Sequence, residues 1–256
     1  MAILGIDIGG SGVKGTLVDP VRGELLAERY RVPTPQPSDV TRVVEAVGEV
    51  AAQFHGYDGV GVTFPGVVVD GTVRTSANMD SSWIGAAADR LFGERLGRPV
   101  TVLNDADAAG VAEVAFGAGR DQHGLIMMLT FGTGIGSALF LDGELIPNTE
   151  FGHIELHGKD AELRASDRIR EEEDLSWEKW GERVAEYLTH LELLLAPRLF
   201  VVGGGVSKKA DKFFPLLDIR TPVVPAALLN NAGIIGAAVT AAHGQPSAVP
   251  TAVTHH

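Results

Sequence analysis

Cysteine is absent from the 256 residues. That excludes disulfides, thiolate nucleophiles and cysteine-ligated metal, so any bound metal must use oxygen or imidazole ligands. Positive charge is scarce: 21 Lys and Arg against 33 Asp and Glu leave a net charge of −12. A general duplex binder needs a basic footprint, so no nucleic-acid partner is expected, and a polyanionic ligand would require a local basic patch. No apolar run reaches the roughly 18 to 20 residues that span a bilayer. The opening "MAILGIDIGG" lacks a basic region followed by a small-residue cleavage site. These absences predict a cytoplasmic protein with no membrane partner. What is present is 45% apolar content, enough for a real core. The ending "QPSAVPTAVTHH" reads as a frayed, flexible tail over residues 245–256.

Apolar β-branched runs alternate with helical stretches, the pattern of an α/β protein. Strands are predicted at "AILGIDI", "VKGTLVD", "GELLAERYRV", "GVGVTF", "RPVTVLN", "LIMMLTF", "GIGSALFLDGEL" and "RLFVVGG". A helix capped by Ser38 should run to about residue 54, with Val40, Val43, Val44, Val47 and Val50 on one face. "DADAAGVAEVAFG" should start a helix at a strand end, Ser176 a long helix ending before Pro197, and "LLNNAGIIGAAVTAA" a last, small-residue helix. The segments "LGIDIGGSGVKGTLVD" and "LTFGTGIGSALFLDGEL" both run strand, glycine turn, strand. Two lobes built on this hairpin would face each other across a cleft, the alternative being coincidence between two hairpins.

Three glycine runs could cradle an anion, since backbone N–H groups approach closely where no Cβ intervenes. They are Gly9, Gly10 and Gly12; Gly132, Gly134 and Gly136 with Thr130 and Thr133; and Gly203, Gly204 and Gly205 before a helix opening with Ser207, Lys208 and Lys209. The last is a strand-to-helix junction, a ready anion site. None matches the GxxxxGK[ST] phosphate loop or the full dinucleotide fingerprint. Asp7 precedes the first turn, where it could hold a hydrated Mg²⁺ against a phosphate. Asp105, at a strand end, reads equally as a helix cap or a general base.

"GIDIGGSGVKG", "LNDADAAGVAE", "LTFGTGIG", "EFGHIE" and "FVVGGGVSK" occur in this order and together resemble the ROK family of sugar kinases and repressors. "NMDSSWIG", "RASDRIREEEDLSWEKW" and "IRTPVVPAALLNNAGIIGAA" are similar to its polyphosphate glucokinase branch. The resemblance implies a two-lobed, actin-like α/β sugar kinase fold with a duplicated hairpin-led core. Its lobes would be residues 1–107, completed by a helix at about 232–244, and residues 108–231. It implies glucose in the cleft, phosphoryl transfer to the 6-hydroxyl, Mg²⁺ and a homodimer. Asp105 matches the base; Asn104, Asp105, Glu150 and His153 match sugar ligands. Gly9, Gly10, Ser11 and Lys14 match the first phosphate loop, and Thr130, Gly132, Thr133 and Gly134 the second. Gly203, Gly204 and Gly205, with Lys208, match the segment at the distal part of the donor.

Most ROK kinases follow the "GH" motif with a cysteine-rich zinc segment, which a cysteine-free chain cannot build, so no structural zinc is expected. "AELRAS" keeps Glu162 four residues before Ser166, and Glu162 is carried over as a further sugar ligand. His153, Glu155 and His157 could share a strand face or, for the histidines, one helix face, a weaker metal alternative. Polyphosphate as donor would need a basic channel, for which Lys14, Lys208, Lys209, Lys212 and Arg198 are candidates. The acid run in "REEEDLSWEKW" is expected as an exposed helix end away from that channel. The sequence leaves open whether ATP also serves and which hexose is accepted. A strictly ATP-dependent glucokinase or mannokinase is the nearest rival. A sugar-sensing repressor is disfavoured because the chain enters its first hairpin within ten residues and is acidic.

Overall fold

In the computed structural model, which describes residues 1–76 and 78–244, the first glycine run closes a tight hairpin. β1 (Ile3–Gly9) and β2 (Gly12–Asp19) pair antiparallel with Asp7 directly opposite Lys14. The single third strand expected over residues 23–32 is two pieces, β3 (Glu24–Leu25) and β4 (Tyr30–Pro33), both paired with β2. The Thr16 hydroxyl donates to the carbonyl of Ala27 at 2.9 Å, and the chain between the two pieces detaches from the ladder there.

α1 (Val40–Ala51) is capped by Asp39, whose side chain accepts from the N–H of Arg42, and not by Ser38. The Ser38 hydroxyl instead accepts from the N–H of Asp80, and its carbonyl accepts from the Trp83 indole at 3.0 Å. The helix stops at Ala51 because Gln53 and Phe54 bond three residues back, to Val50 and Ala51, tightening the last turn. β5 (Gly59–Phe64), the short hairpin of β6 (Val68–Val69) and β7 (Thr72–Val73), α2 (Ala88–Leu96), β8 (Thr101–Asn104) and α3 (Asp105–Phe116) come next along the chain. The first sheet has the order β3-β2-β1-β5-β8, with β4 also on β2. Leu4, Ile6 and Ile8 pack against Val43, Val47 and Val50 of α1, each such burial contributing about 1.5–3 kcal/mol.

The second sheet repeats the plan. β9 (Leu125–Phe131) and β10 (Ile135–Leu141) form the second hairpin, extended by β11 (Glu144–Ile146). The small hairpin of β12 (Glu155–Leu156) and β13 (Lys159–Asp160), the short α4 (Glu162–Ala165) and α5 (Asp167–Glu172), and the long α6 (Trp177–Leu195) lead to β14 (Leu199–Gly203). Ser176 caps α6, and Ala196 ends it in the left-handed conformation just before Pro197. α7 (Ala210–Phe213), β15 (Val223–Pro225) and α8 (Ala232–His243) complete the order β11-β10-β9-β14-β15. In both sheets an antiparallel hairpin leads and a later strand pairs parallel with its first strand. The echo seen in the sequence is therefore topological.

α8 packs on β1, β5 and α3. It can lie that close because a Cβ at Gly5 would strike the Ile234 carbonyl, one at Gly61 the Ala237 carbonyl, and one at Gly236 the Ala108 carbonyl. No helix among the described residues is long and apolar enough to cross a membrane. The tail expected over 245–256 lies outside the described residues.

Candidate active site

β8 runs straight into α3, and Asn104 marks the junction. Its Oδ1 accepts from the N–H groups of Ala106 and Asp107 at 2.8 and 3.0 Å, while its Nδ2 donates to the carbonyl of Gly66 at 3.1 Å. Asp105 is thereby the first residue of α3 and does not cap it. Its carboxyl is pushed up to about 7, first by the loss of surrounding water, then by the charges of Asp7 and Glu150. The residue still has surface open to the cleft, so depth and neighbouring charge, not sealing from solvent, hold it there.

Asp105 lines a cavity of about 190 Å³ with Asp7, Lys14, Thr130, Gly203 and Gly204, together with Leu229, Asn230 and Gly233, and the Gly233 backbone lies against Asp7. Asp7 is held by Lys14 Nζ at 3.0 Å and by the donating Thr63 hydroxyl at 2.7 Å. α3 and α8 both begin at this cavity, so two positive helix ends favour an anion there. A Cβ at Gly10, Gly132 or Gly205 would meet nothing within 4 Å; these backbones face space that a phosphate can enter. The turns themselves are fixed from behind. Thr34 donates to the Gly9 carbonyl and Arg31 to that of Ser11. Arg168 donates its backbone N–H to the Gly132 carbonyl at 3.0 Å and its Nε to the Thr133 carbonyl at 2.8 Å.

The third glycine run departs from expectation. Gly204 sits at φ 83, where a Cβ would strike the Phe131 carbonyl, fastening this run to the end of β9. Residues Gly205–Lys209 then form a 3-10 turn, not an α-helix N-terminus, so the expected helix dipole is missing. Lys208 is exposed on this turn. Lys209 and Lys212 lie 5.6 Å from the Trp177 ring centre, and Arg170 4.5 Å from it. The stretch "REEEDLSWEKW" is thus adjacent to these lysines, not remote from them. Arg198 begins the approach to β14, five residues before Gly203, about 16 Å along the strand. It belongs to the opposite end of the sheet from the cleft.

Glu150, His153 and Glu162 share one locality. Burial, then the Glu162 charge, raise the Glu150 carboxyl, with His153 opposing. His153 is raised chiefly by its 2.9 Å hydrogen bond to Asp160, and its Nε2 lies 3.8 Å from Glu150. Glu162 accepts from the Ile135 N–H at 3.2 Å, beside Gly134, so it joins this group to the second glycine turn. The metal alternative fails on geometry. His153 ends a 3-10 turn, Glu155 lies in β12, and His157 occupies the β12–β13 turn, bonded to Glu186 of α6. Among the described residues no group of three or more His, Asp or Glu could hold a metal ion alone.

A magnesium ion fits a different donor set. It keeps most of its waters and binds through one or two carboxylates and substrate phosphates. Asp7, partly exposed beside Asp105 and the first turn, suits that. The residues hidden from sequence reading are Thr63, Arg168, Asn148 and the wall at 229–233. Only the last left a trace, in the "NNAG" that opens the small-residue helix.

Residues 3–167 match the profile of the ROK family. A polyphosphate glucokinase of Mycobacterium tuberculosis is 53% identical over 236 residues, 92% of this chain and 89% of that protein. Its Mycobacterium leprae counterpart is 51% identical, over 92% of this chain and 73% of that protein. The crystal structure of an inorganic polyphosphate/ATP-glucomannokinase from an Arthrobacter species superposes with a TM-score of 0.91 at 50% identity, covering 94% of this chain and 98% of that one. A Streptomyces griseus ROK glucokinase in complex with glucose and AMPPNP gives 0.81 at 26% identity, covering 95% and 100%. Sequence profile, relatives and fold agree, and the chain belongs to the ROK family.

Proposed function

We propose that this protein is a glucokinase that transfers a phosphoryl group from inorganic polyphosphate to the 6-hydroxyl of glucose, giving glucose 6-phosphate, with ATP as an alternative donor. The observation that carries it is the place of Asp105. It heads α3 inside the cavity that Lys14, Thr130 and Gly204 line, with Glu150 close enough to raise its carboxyl.

Phosphoryl transfer needs positioning and charge neutralisation more than covalent help. Asn104, Glu150, His153 and Glu162 would hold the sugar hydroxyls; Asp105 would orient the 6-hydroxyl and take its proton as the oxygen attacks. The N–H groups of Gly9, Gly10, Ser11, Gly132, Thr133 and Gly134, with the Thr130 and Thr133 hydroxyls and Lys14, would bear on the donor oxygens. Mg²⁺, held through water by Asp7, would neutralise phosphate charge when bound. Gly203, Gly204, Gly205 and Lys208 would meet the distal donor, and Lys209, Lys212 and Arg170 gather beside that segment where a longer polyanion would continue. The same reading divides the chain into lobes at 1–107 with 232–244 and at 108–231, in a cytoplasmic homodimer.

The test is a donor assay with glucose and Mg²⁺. Long-chain polyphosphate should support turnover; turnover with ATP alone would replace this reading by that of an ATP-dependent hexokinase.

A further inference from the structure

Two buried carboxylates on α3 have no part in the phosphoryl transfer itself. Asp107 is 2% exposed, and its Oδ2 accepts from the backbone N–H of Asn148 at 2.8 Å. Asn148 is left-handed, at φ 60. From there its side chain grips both backbone groups of Val68 in the first half of the chain: Oδ1 accepts from the N–H at 3.0 Å and Nδ2 donates to the carbonyl at 2.9 Å. Two residues on stands Glu150. Glu113, near the other end of α3, is fully buried. Its Oε2 accepts from the N–H groups of Ala118 and Ala227 at 2.8 and 3.0 Å, and its Oε1 from that of Leu228 at 2.7 Å. The next residues, Leu229 and Asn230, line the same cavity as Lys14 and Asp7, and Leu229 is itself left-handed at φ 51.

Six residues separate the two acids, about 9 Å of helix and some 240° of rotation. One helix with the base at its head therefore fastens an acceptor-side loop by one side chain and a donor-side loop by another. Neither loop has a strand or α-helix of its own to hold it, and a buried carboxylate that lost its N–H partners would cost the full desolvation penalty. Other partners hold the loops as well, Ser137 of β10 bonding the Thr149 carbonyl and the Phe151 N–H and Val202 of β14 the Ala226 N–H, but of these partners only α3 reaches both loops.

We propose that α3 is the alignment element of the enzyme, Asp107 positioning the Asn148–Glu150 loop for the sugar and Glu113 positioning the 226–230 loop for the phosphate donor. The assignment of sides rests on the glucokinase reading; the two fastenings do not. Asp107→Ala should raise the glucose KM up to about tenfold, the worth of one lost buried hydrogen bond, and leave the polyphosphate KM within about twofold. Asp107→Asn, which keeps an acceptor for the Asn148 N–H, should restore it. Asn148→Ala, which leaves α3 untouched, should repeat the glucose effect if Asp107→Ala folds poorly. Glu113→Gln sets an amide against the Leu228 N–H, and should raise the polyphosphate KM by a similar factor while sparing that for glucose.

Hydrogen exchange on the same proteins without substrates separates the two levels. Asp107→Ala should speed exchange in residues 146–151 and at the Val68 N–H that Asn148 holds, and Glu113→Gln in residues 226–230, each without touching the other loop. A parent that ignores glucose and polyphosphate, with this exchange pattern intact, removes the glucokinase reading and keeps the alignment role. Parallel rises in both KM values in either variant, or exchange that quickens equally in both loops, overturns the proposal.

Discussion

Hairpin β1–β2 lines the cavity with a charged pair, Asp7 and Lys14, whereas hairpin β9–β10 lines it with uncharged Met128 and Thr130 and carries its open glycine turn, Gly132, two residues further along. The topology is the same, down to the later parallel strand beside each. Their chemistry divides. Amides at a glycine turn can approach an anion from either side, so both hairpins keep that feature. In the proposed reaction, neutralising the transferring phosphate would need a cation and a metal-holding acid on only one side, and a second pair would add desolvation cost for no further gain. Duplication thus supplies the cradle twice and the charge once. Lys14 rests on Asp7 at 3.0 Å; in the proposed reaction it would turn to phosphate once Mg²⁺ occupies the acid.

The sharpest challenge to this contrast is to neutralise the charged side. Asp7→Asn should lower kcat about a hundredfold, the loss expected for one transition-state charge contact, and should raise the Mg²⁺ requirement while leaving the glucose KM nearly unchanged; steady-state kinetics across Mg²⁺ concentrations checks both. A result within about twofold of the parent would make the hairpins equivalent. Next comes pH. Asp105 must be ionised to accept a proton, and its carboxyl is pushed up to about 7. The log of kcat/KM should therefore fall with unit slope as pH drops below about 7 and level off above it, measured in a constant-ionic-strength buffer series.

On the uncharged side the effects should be smaller and of two kinds. Gly132→Ala places a methyl in open space, so the melting temperature should hold while the donor KM rises several-fold, about 1 kcal/mol of lost approach. Gly204→Ala, at φ 83 and against the Phe131 carbonyl, should lower stability by about 1–3 kcal/mol, read by denaturant melts. The smallest effect belongs to the exposed Lys208. Its replacement by Ala should raise the polyphosphate KM a few-fold at low salt, the difference fading as ionic strength rises.

Local pattern made the hairpins, α3, the Ser176 cap and the place of Asp105 at a strand end legible in the sequence, because glycine spacing and apolar periodicity are written within a few residues. The ROK resemblance placed the remaining sugar and phosphate candidates. What failed depended on distant partners. Ser38 and Asp39 are both good caps, and Trp83 and Asp80, more than forty residues away, decided between them. The Thr16 hydroxyl split the third strand, and the Phe131 carbonyl shaped the run after Gly203. Asn148, Arg168 and Glu113 escaped notice because each acts on backbone elsewhere in the chain, which leaves no spacing to read.

Asp105→Asn decides whether the residue at the head of α3 is the base. The parent and variant should be compared for turnover with glucose and polyphosphate, for glucose affinity by calorimetry, and for thermal stability. A carboxyl whose folded pKa lies above its unfolded value costs stability at every pH above that unfolded value, in full above about 7, so the amide should melt higher at neutral pH. Turnover should drop at least about a hundredfold, the usual yield of a positioned base, with glucose affinity within a few-fold. Turnover within a few-fold of the parent would mean that Asp105 is not the base.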